Sequence, residues 1–181
     1  MKKNAFLAPI AVVIVALALV LVGCGSTADD EKAIRLAADE ALSTIKNGDD
    51  LIADEIDDES FDQLGIDVNE FSSAIMDGFE YEIGEVTVDK DAGTATAQVS
   101  VTSKSLSDIM STFSSLISNA DTSEITSEDD AYKLSGKLAM QAVEETEPTT
   151  KDLTLDFTRG SDGTWAATSD SSTQFGQDIF A

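Results

Sequence analysis

The chain has 181 residues, enough for one domain with or without a tether, and its 42% hydrophobic content is inflated by the first two dozen residues. Its formal charge is −24, falling to −26 if Lys2 and Lys3 leave with a leader, which excludes nucleic acid and argues against docking on anionic head groups through the protein surface. A single cysteine rules out an internal disulfide, and the lack of histidine removes the usual general base near neutral pH and the commonest transition-metal ligand.

Lys2 and Lys3 open the chain, and Phe6 through Val22 then runs without a charge. A basic start, an apolar middle and a small residue at the end have the layout of a signal peptide over residues 1–23. The run is marginal for a membrane-spanning helix, which wants about 20 apolar residues. It closes on Leu21-Val22-Gly23-Cys24, which holds the only thiol of the chain. This motif resembles the lipobox of bacterial lipoproteins. The resemblance implies a diacylglycerol on Cys24, cleavage before it, and palmitate-type chains that seat the protein on the extracytoplasmic face of the cell membrane. Each buried methylene contributes about 0.8 kcal/mol, so two or three chains hold where one would not. Residues 24–29 then read as a short lipidated tether, and 30–181 as a single extracytoplasmic domain.

Helical spacing comes first in the mature chain. Between Asp30 and Asn47, Ile34, Ala38, Ala41, Leu42 and Ile45 make one apolar stripe, and Asn47-Gly48 is a stop. The acidic stretch 49–62 reads as short helical pieces or loop, and a second helix is predicted from Asp67 to Asp77 with Val68, Phe71 and Ile75 inward. Then Phe79, Tyr81 and Ile83 alternate with Glu80 and Glu82, and the alternation resumes out of phase at Val86 and Val88. One residue of slip at Gly84-Glu85 predicts a β-bulge. Residues 89–93 form a turn, and Ala95, Ala97, Val99 and Val101 face one side of a returning strand.

Two more helices are predicted, from Ser105 to Ser118 and from Asp129 to Glu145, before Pro148. The first puts Leu106, Ile109, Met110, Phe113, Leu116 and Ile117 on its core face; the second aligns Ala131, Leu134, Leu138 and Ala142. Leu153, Leu155 and Phe157 alternate again, residues 159–163 turn, and Trp165 with Ala167 starts a return strand. The tail from Thr173 to Phe180 can dock Phe175, Ile179 and Phe180 as a short helix. The order is helices, hairpin, helices, hairpin, which gives an α+β fold with helices packed on an antiparallel sheet.

That order resembles the NTF2-like (cystatin-like) domains of small bacterial lipoproteins with no assigned function, over 30–181. The resemblance implies a curved sheet with the first helix in its concavity. The two helices between the hairpins depart from the simplest NTF2-like order. Tyr81, Phe157 and Trp165 are then the expected lining of a sheet cavity, Trp165 alternatively sealing the core.

Little catalytic chemistry is written in the chain. Asp49, Asp50, Asp54, Glu55, Asp57, Asp58, Glu59 and Asp62 offer oxygens of the type Ca²⁺ takes, but without a defined loop. Asp89-Lys90-Asp91-Ala92-Gly93 starts like a calcium loop, yet Thr94 and Ser100 occupy the positions of its glycine and its bidentate glutamate. Both read as solvated charge. No nucleophile motif, phosphate loop or zinc spacing is present, and no apolar window isolates a carboxylate enough to raise its pKa. The expectation is a non-catalytic lipid-anchored binding module with no cofactor and no metal, whose partner is a protein, a cell-wall component or a small molecule. The alternatives are a surface lipoprotein without a pocket, and an NTF2-like enzyme using a buried Asp or Glu beside a Tyr.

Overall fold

The computed structural model describes residues 26–47, 58–123 and 125–181. Leu21, Val22, Gly23 and Cys24 lie outside the described residues, as does most of the acidic stretch 49–62. The elements in order are α1 (Thr27–Lys46), α2 (Asp58–Leu64), α3 (Val68–Met76), β1 (Glu80–Asp89), β2 (Thr94–Ser103), α4 (Leu106–Asn119), α5 (Glu128–Glu145), β3 (Thr149–Arg159), β4 (Trp165–Ala167) and α6 (Ser169–Ile179). The expected α+β class is observed, with one four-stranded antiparallel sheet in the order β1-β2-β3-β4. The chain divides into two compact units, a sheet unit of 26–47, 80–102 and 150–179 and a helical unit of 58–79, 103–149 and 180–181. Among the described residues no helix is long and apolar enough to cross a membrane.

In the sheet unit, α1 begins at Thr27, inside the stretch expected as tether. The reason is local. The Asp29 carboxylate accepts from the backbone N–H of Ser26 at 2.8 Å and from its hydroxyl at 3.0 Å, closing the first turn around Ser26 as the cap. Ile34, Ala37, Ala38 and Leu42 form the buried face of α1. The first hairpin matches its expectation: β1 and β2 pair from Glu80↔Thr102 to Asp89↔Thr94, and the register shifts between Ile83 and Val86, where Gly84 and Glu85 make the bulge. At the turn, Asp89 Oδ1 accepts from the N–H groups of Asp91 and Ala92, and Gly93 takes φ +64, a conformation a side chain would strain. Ala95, Ala97, Val99 and Val101 of β2 are buried, as the alternation requires. β3 lies beside β2, with Thr102 against Thr150 and Thr154 against Gln98. β4 pairs from Phe157↔Ala167 to Arg159↔Trp165.

In the helical unit, the Asp67 carboxylate caps α3 by accepting from the N–H groups of Asn69 and Glu70, and Ser105 and Ser127 cap α4 and α5. Phe61 of α2 meets Phe71 of α3 edge to face at 5.1 Å. Gly136 lets α5 approach α2 so closely that a Cβ there would overlap the Leu64 carbonyl oxygen. Lys104, just past β2, is only 3% exposed, and its ammonium donates to the Ala74 carbonyl at 2.9 Å and the Val143 carbonyl at 3.0 Å. Those carbonyls belong to the last turns of α3 and α5, neither of which carries a basic residue in that turn. One buried cation thus closes two helix C-termini.

The core face expected for α4 needs correction. Ile109 is buried, but Met110 is 44% and Ile117 46% exposed. Six apolar positions between 106 and 117 spread over roughly 120° of helix surface at 100° per residue. Ile109 and Leu116 lie along one edge of that stripe, the more covered one; Met110 and Ile117 lie along the other.

Candidate functional site

A partly enclosed cavity of about 250 Å³ opens within the sheet unit. One wall is α1, through Ala37, Ala38, Ala41, Leu42 and Ile45. The floor is Leu155 and Phe157 of β3 with Ala166 and Ala167 of β4, and α6 supplies Ser169, Ser172, Thr173 and Phe175. The helix periodicity that buries Ile34 and Leu42 brings three alanines to the same face, and they meet two more alanines across the gap. Short side chains on both sides leave the space open. Among the described residues no ionisable side chain lines it. Its polar groups are the hydroxyls of Ser169, Ser172 and Thr173, of which Ser169 and Thr173 lie exposed and Ser172 is buried. Such a site can hold an uncharged, largely apolar group and orient it by one or two hydrogen bonds.

Of the three aromatics expected at a cavity, Phe157 forms its floor. Tyr81 instead turns to α1, where its hydroxyl donates to Asp39 Oδ1 at 2.9 Å. Burial, and then the carboxylate it donates to, hold this phenol above its ordinary pKa. Trp165 seals the core. Its indole N–H donates to Asp30 Oδ1 at 3.0 Å, across 135 positions of sequence.

Asp30 is the second constellation, and the sequence did not single it out. It is 2% exposed, although it sits in the acidic first turn of α1. Lys90 Nζ lies 3.1 Å from its Oδ2, an ion-pair contact in which Oδ2 has no hydrogen bond of good geometry. Arg159 Nη2 stands 3.9 Å from Oδ1, with its guanidinium 5.8 Å from the centre of the Trp165 ring. Burial is the largest single influence on this carboxyl and would raise its pKa. The Trp165 N–H, Lys90 and Arg159 together outweigh it and hold Asp30 below the ordinary aspartate value. The carboxylate is therefore kept charged and occupied, the opposite of a group tuned to carry protons. Nothing but the two distant cations and the indole would have revealed it, and none is near Asp30 in sequence.

Cys24 and the lipobox residues Leu21, Val22 and Gly23 lie outside the described residues, as do Asp49, Asp50, Asp54, Glu55 and Asp57 of the acidic cluster. At the hairpin turn Asp89 is occupied by backbone N–H groups, and among the described residues no three carboxylates or thiols gather as a metal site.

No protein-family model matches the chain, and no curated protein matches it. Among solved structures the chain is similar to a protein provisionally described as a lipoprotein, ycdA from Bacillus subtilis, at 14% identity and a TM-score of 0.44. The match covers 89% of this chain and 52% of that one, so the chain spans about half the length of that protein.

Proposed function

We propose that this is a lipid-anchored extracytoplasmic module that binds a small, uncharged and mainly apolar ligand between α1, α6 and the sheet. The single observation that carries the binding part is the cavity of about 250 Å³, walled by alanine, leucine and phenylalanine and rimmed by hydroxyls. Its size suits a ring or a short alkyl chain rather than a large cofactor, since sites for drug-sized ligands run to roughly 300–1,000 Å³. A chain of formal charge −24 repels anionic ligands at a distance, which favours a neutral one. Attachment rests on Leu21-Val22-Gly23-Cys24 at the end of the apolar leader. A helix against a four-stranded antiparallel meander with a bulged first strand supports an NTF2-like or cystatin-like classification. The module is non-catalytic in this reading: among the described residues the cavity wall holds no carboxylate, and the buried carboxylate Asp30 is held ionised by the Trp165 N–H and two cations.

Two measurements test it. Mass spectrometry of the native protein should find Cys24 acylated and N-terminal; an intact leader or a bare thiol overturns the anchor. Titration with the neutral dye phenylnaphthylamine should give saturable fluorescence enhancement that Ala41→Leu abolishes. The larger side chain fills the gap, so the variant should melt no lower than the parent. Equal dye binding by parent and variant, or none by the parent, overturns the cavity as a ligand site.

A further inference from the structure

Three contacts fix the direction of α1 over the sheet. Asp30 meets Lys90, Arg35 donates to the Ile83 carbonyl at 2.9 Å, and Tyr81 donates to Asp39 at 2.9 Å. Residue numbers rise along α1 as they fall along β1, so the two run in opposite directions. The start of α1 therefore lies at the end of the sheet that carries the β1–β2 and β3–β4 turns. Lys90 belongs to the first turn and Arg159 borders the second, and the Arg159 N–H donates to the Gly93 carbonyl at 2.9 Å, tying the turns together. Through Asp30 the first turns of α1 are clamped to both, and the Ser26–Asp29 contacts close the helix start just before it. Gly25 and Ser26 alone separate this fixed helix from Cys24, a leash of at most about 10 Å.

We propose that the two turns, 89–94 and 159–165, are the membrane-facing surface of the sheet unit, held against the head-group layer of a phospholipid bilayer by the clamped start of α1. This rests on acylation of Cys24 as proposed above. The length of chain selects the occupant: a leash this short, leaving a helix that cannot swing, brings the turn end to the lipid and no other end of the sheet. β1 and β2 each span 10 residues, about 33 Å, so the opposite end stands about 30 Å farther from the bilayer. Asp91 and Asp162 are exposed at the two turns and keep them in the polar layer, because a carboxylate in hydrocarbon is costly.

The test uses the full chain, acylated in its host and reconstituted in phosphatidylcholine vesicles that contain head-group spin-labelled lipid. A fluorophore is placed on one introduced thiol, from Ala92→Cys, Ser161→Cys or Thr150→Cys. The first two sit at the turns and the third at the far end, all exposed. With Cys24 acylated, the introduced thiol is the one free to react. Quenching at 92 and 161 should exceed that at 150 several-fold. Equal quenching at all three, or most at 150, on protein that floats with the vesicles overturns the orientation and leaves the anchor standing. Protein that does not float overturns both. In a second arm, eight Gly/Ser residues inserted after Gly25 add about 15 Å of flexible chain. The three labels should then quench alike with an unchanged melting temperature, and a preserved difference would overturn the leash as its cause.

Discussion

Among the described residues each unit buries one charged side chain, and the two are compensated by different means. In the sheet unit Asp30 is met by side chains: an indole N–H and two cations whose own side chains remain 35% and 27% exposed. In the helical unit Lys104 is met by two backbone carbonyls at helix C-termini. The first arrangement is assembled from side chains that can be removed one at a time. The second is as firm as the seating of α3 and α5, because its acceptors move only if those helices move. A buried charge held by partial charges of the backbone is thus a constraint on helix placement, whereas one held by side chains is a local joint.

The sharpest way to break the comparison is at Gly136. Ala there collides with the Leu64 carbonyl and forces α5 off its seat, carrying the Val143 acceptor away from Lys104. Gly136→Ala should destabilise by about 4 kcal/mol in denaturant titration. Asp30→Ala comes next, at about 3 kcal/mol, since it strands a buried indole N–H and removes the partner of two cations. A double-mutant cycle with Lys90→Ala should return a coupling of about 1 kcal/mol, modest because Lys90 is partly solvated. Lys104→Met should cost about 2 kcal/mol: two carbonyls lose their donor, while the desolvation of the ammonium is relieved.

The smallest effect is the most diagnostic of the difference. Because Asp30 is held below its ordinary value of 3.8 in the folded state, the unfolded chain binds more protons in the window beneath that value. The stability it contributes is fully present above the ordinary value and is lost as pH falls through the folded one. Denaturant titrations from pH 6 downward should show the advantage of the parent over Asp30→Asn shrinking once the pH passes below about 4. An advantage that stayed constant to lower pH would mean that charge plays no part in the joint.

Much of the fold was legible because short-range period carries it. Helix stripes at 34–45, the alternation at 95–101 and the slip at Gly84 each depend on residues within a turn or a pleat of one another. What was illegible depends on distance. Asp30 stands among Asp29 and Glu31 and looks like any solvated first turn; only Trp165, Arg159 and Lys90 make it a core residue. The cavity was half visible through Phe157. Its cause was not, since Ala37, Ala38 and Ala41 satisfy the periodicity of a packed face while leaving too little volume to fill it. Met110 and Ile117 failed for a related reason: a pattern says which residues share a face, not how wide a neighbour covers it.

The bond between Trp165 and Asp30 joins residues at nearly opposite ends of the described chain, and that bears on synthesis. Closure of the sheet unit must wait until almost the whole polypeptide is available, because contacts of such long sequence separation form slowly and late. Segments of the helical unit, by contrast, can associate while the final strands are still being delivered. The lone tryptophan is therefore among the last side chains to seat, and its emission is a clock for completion of the fold.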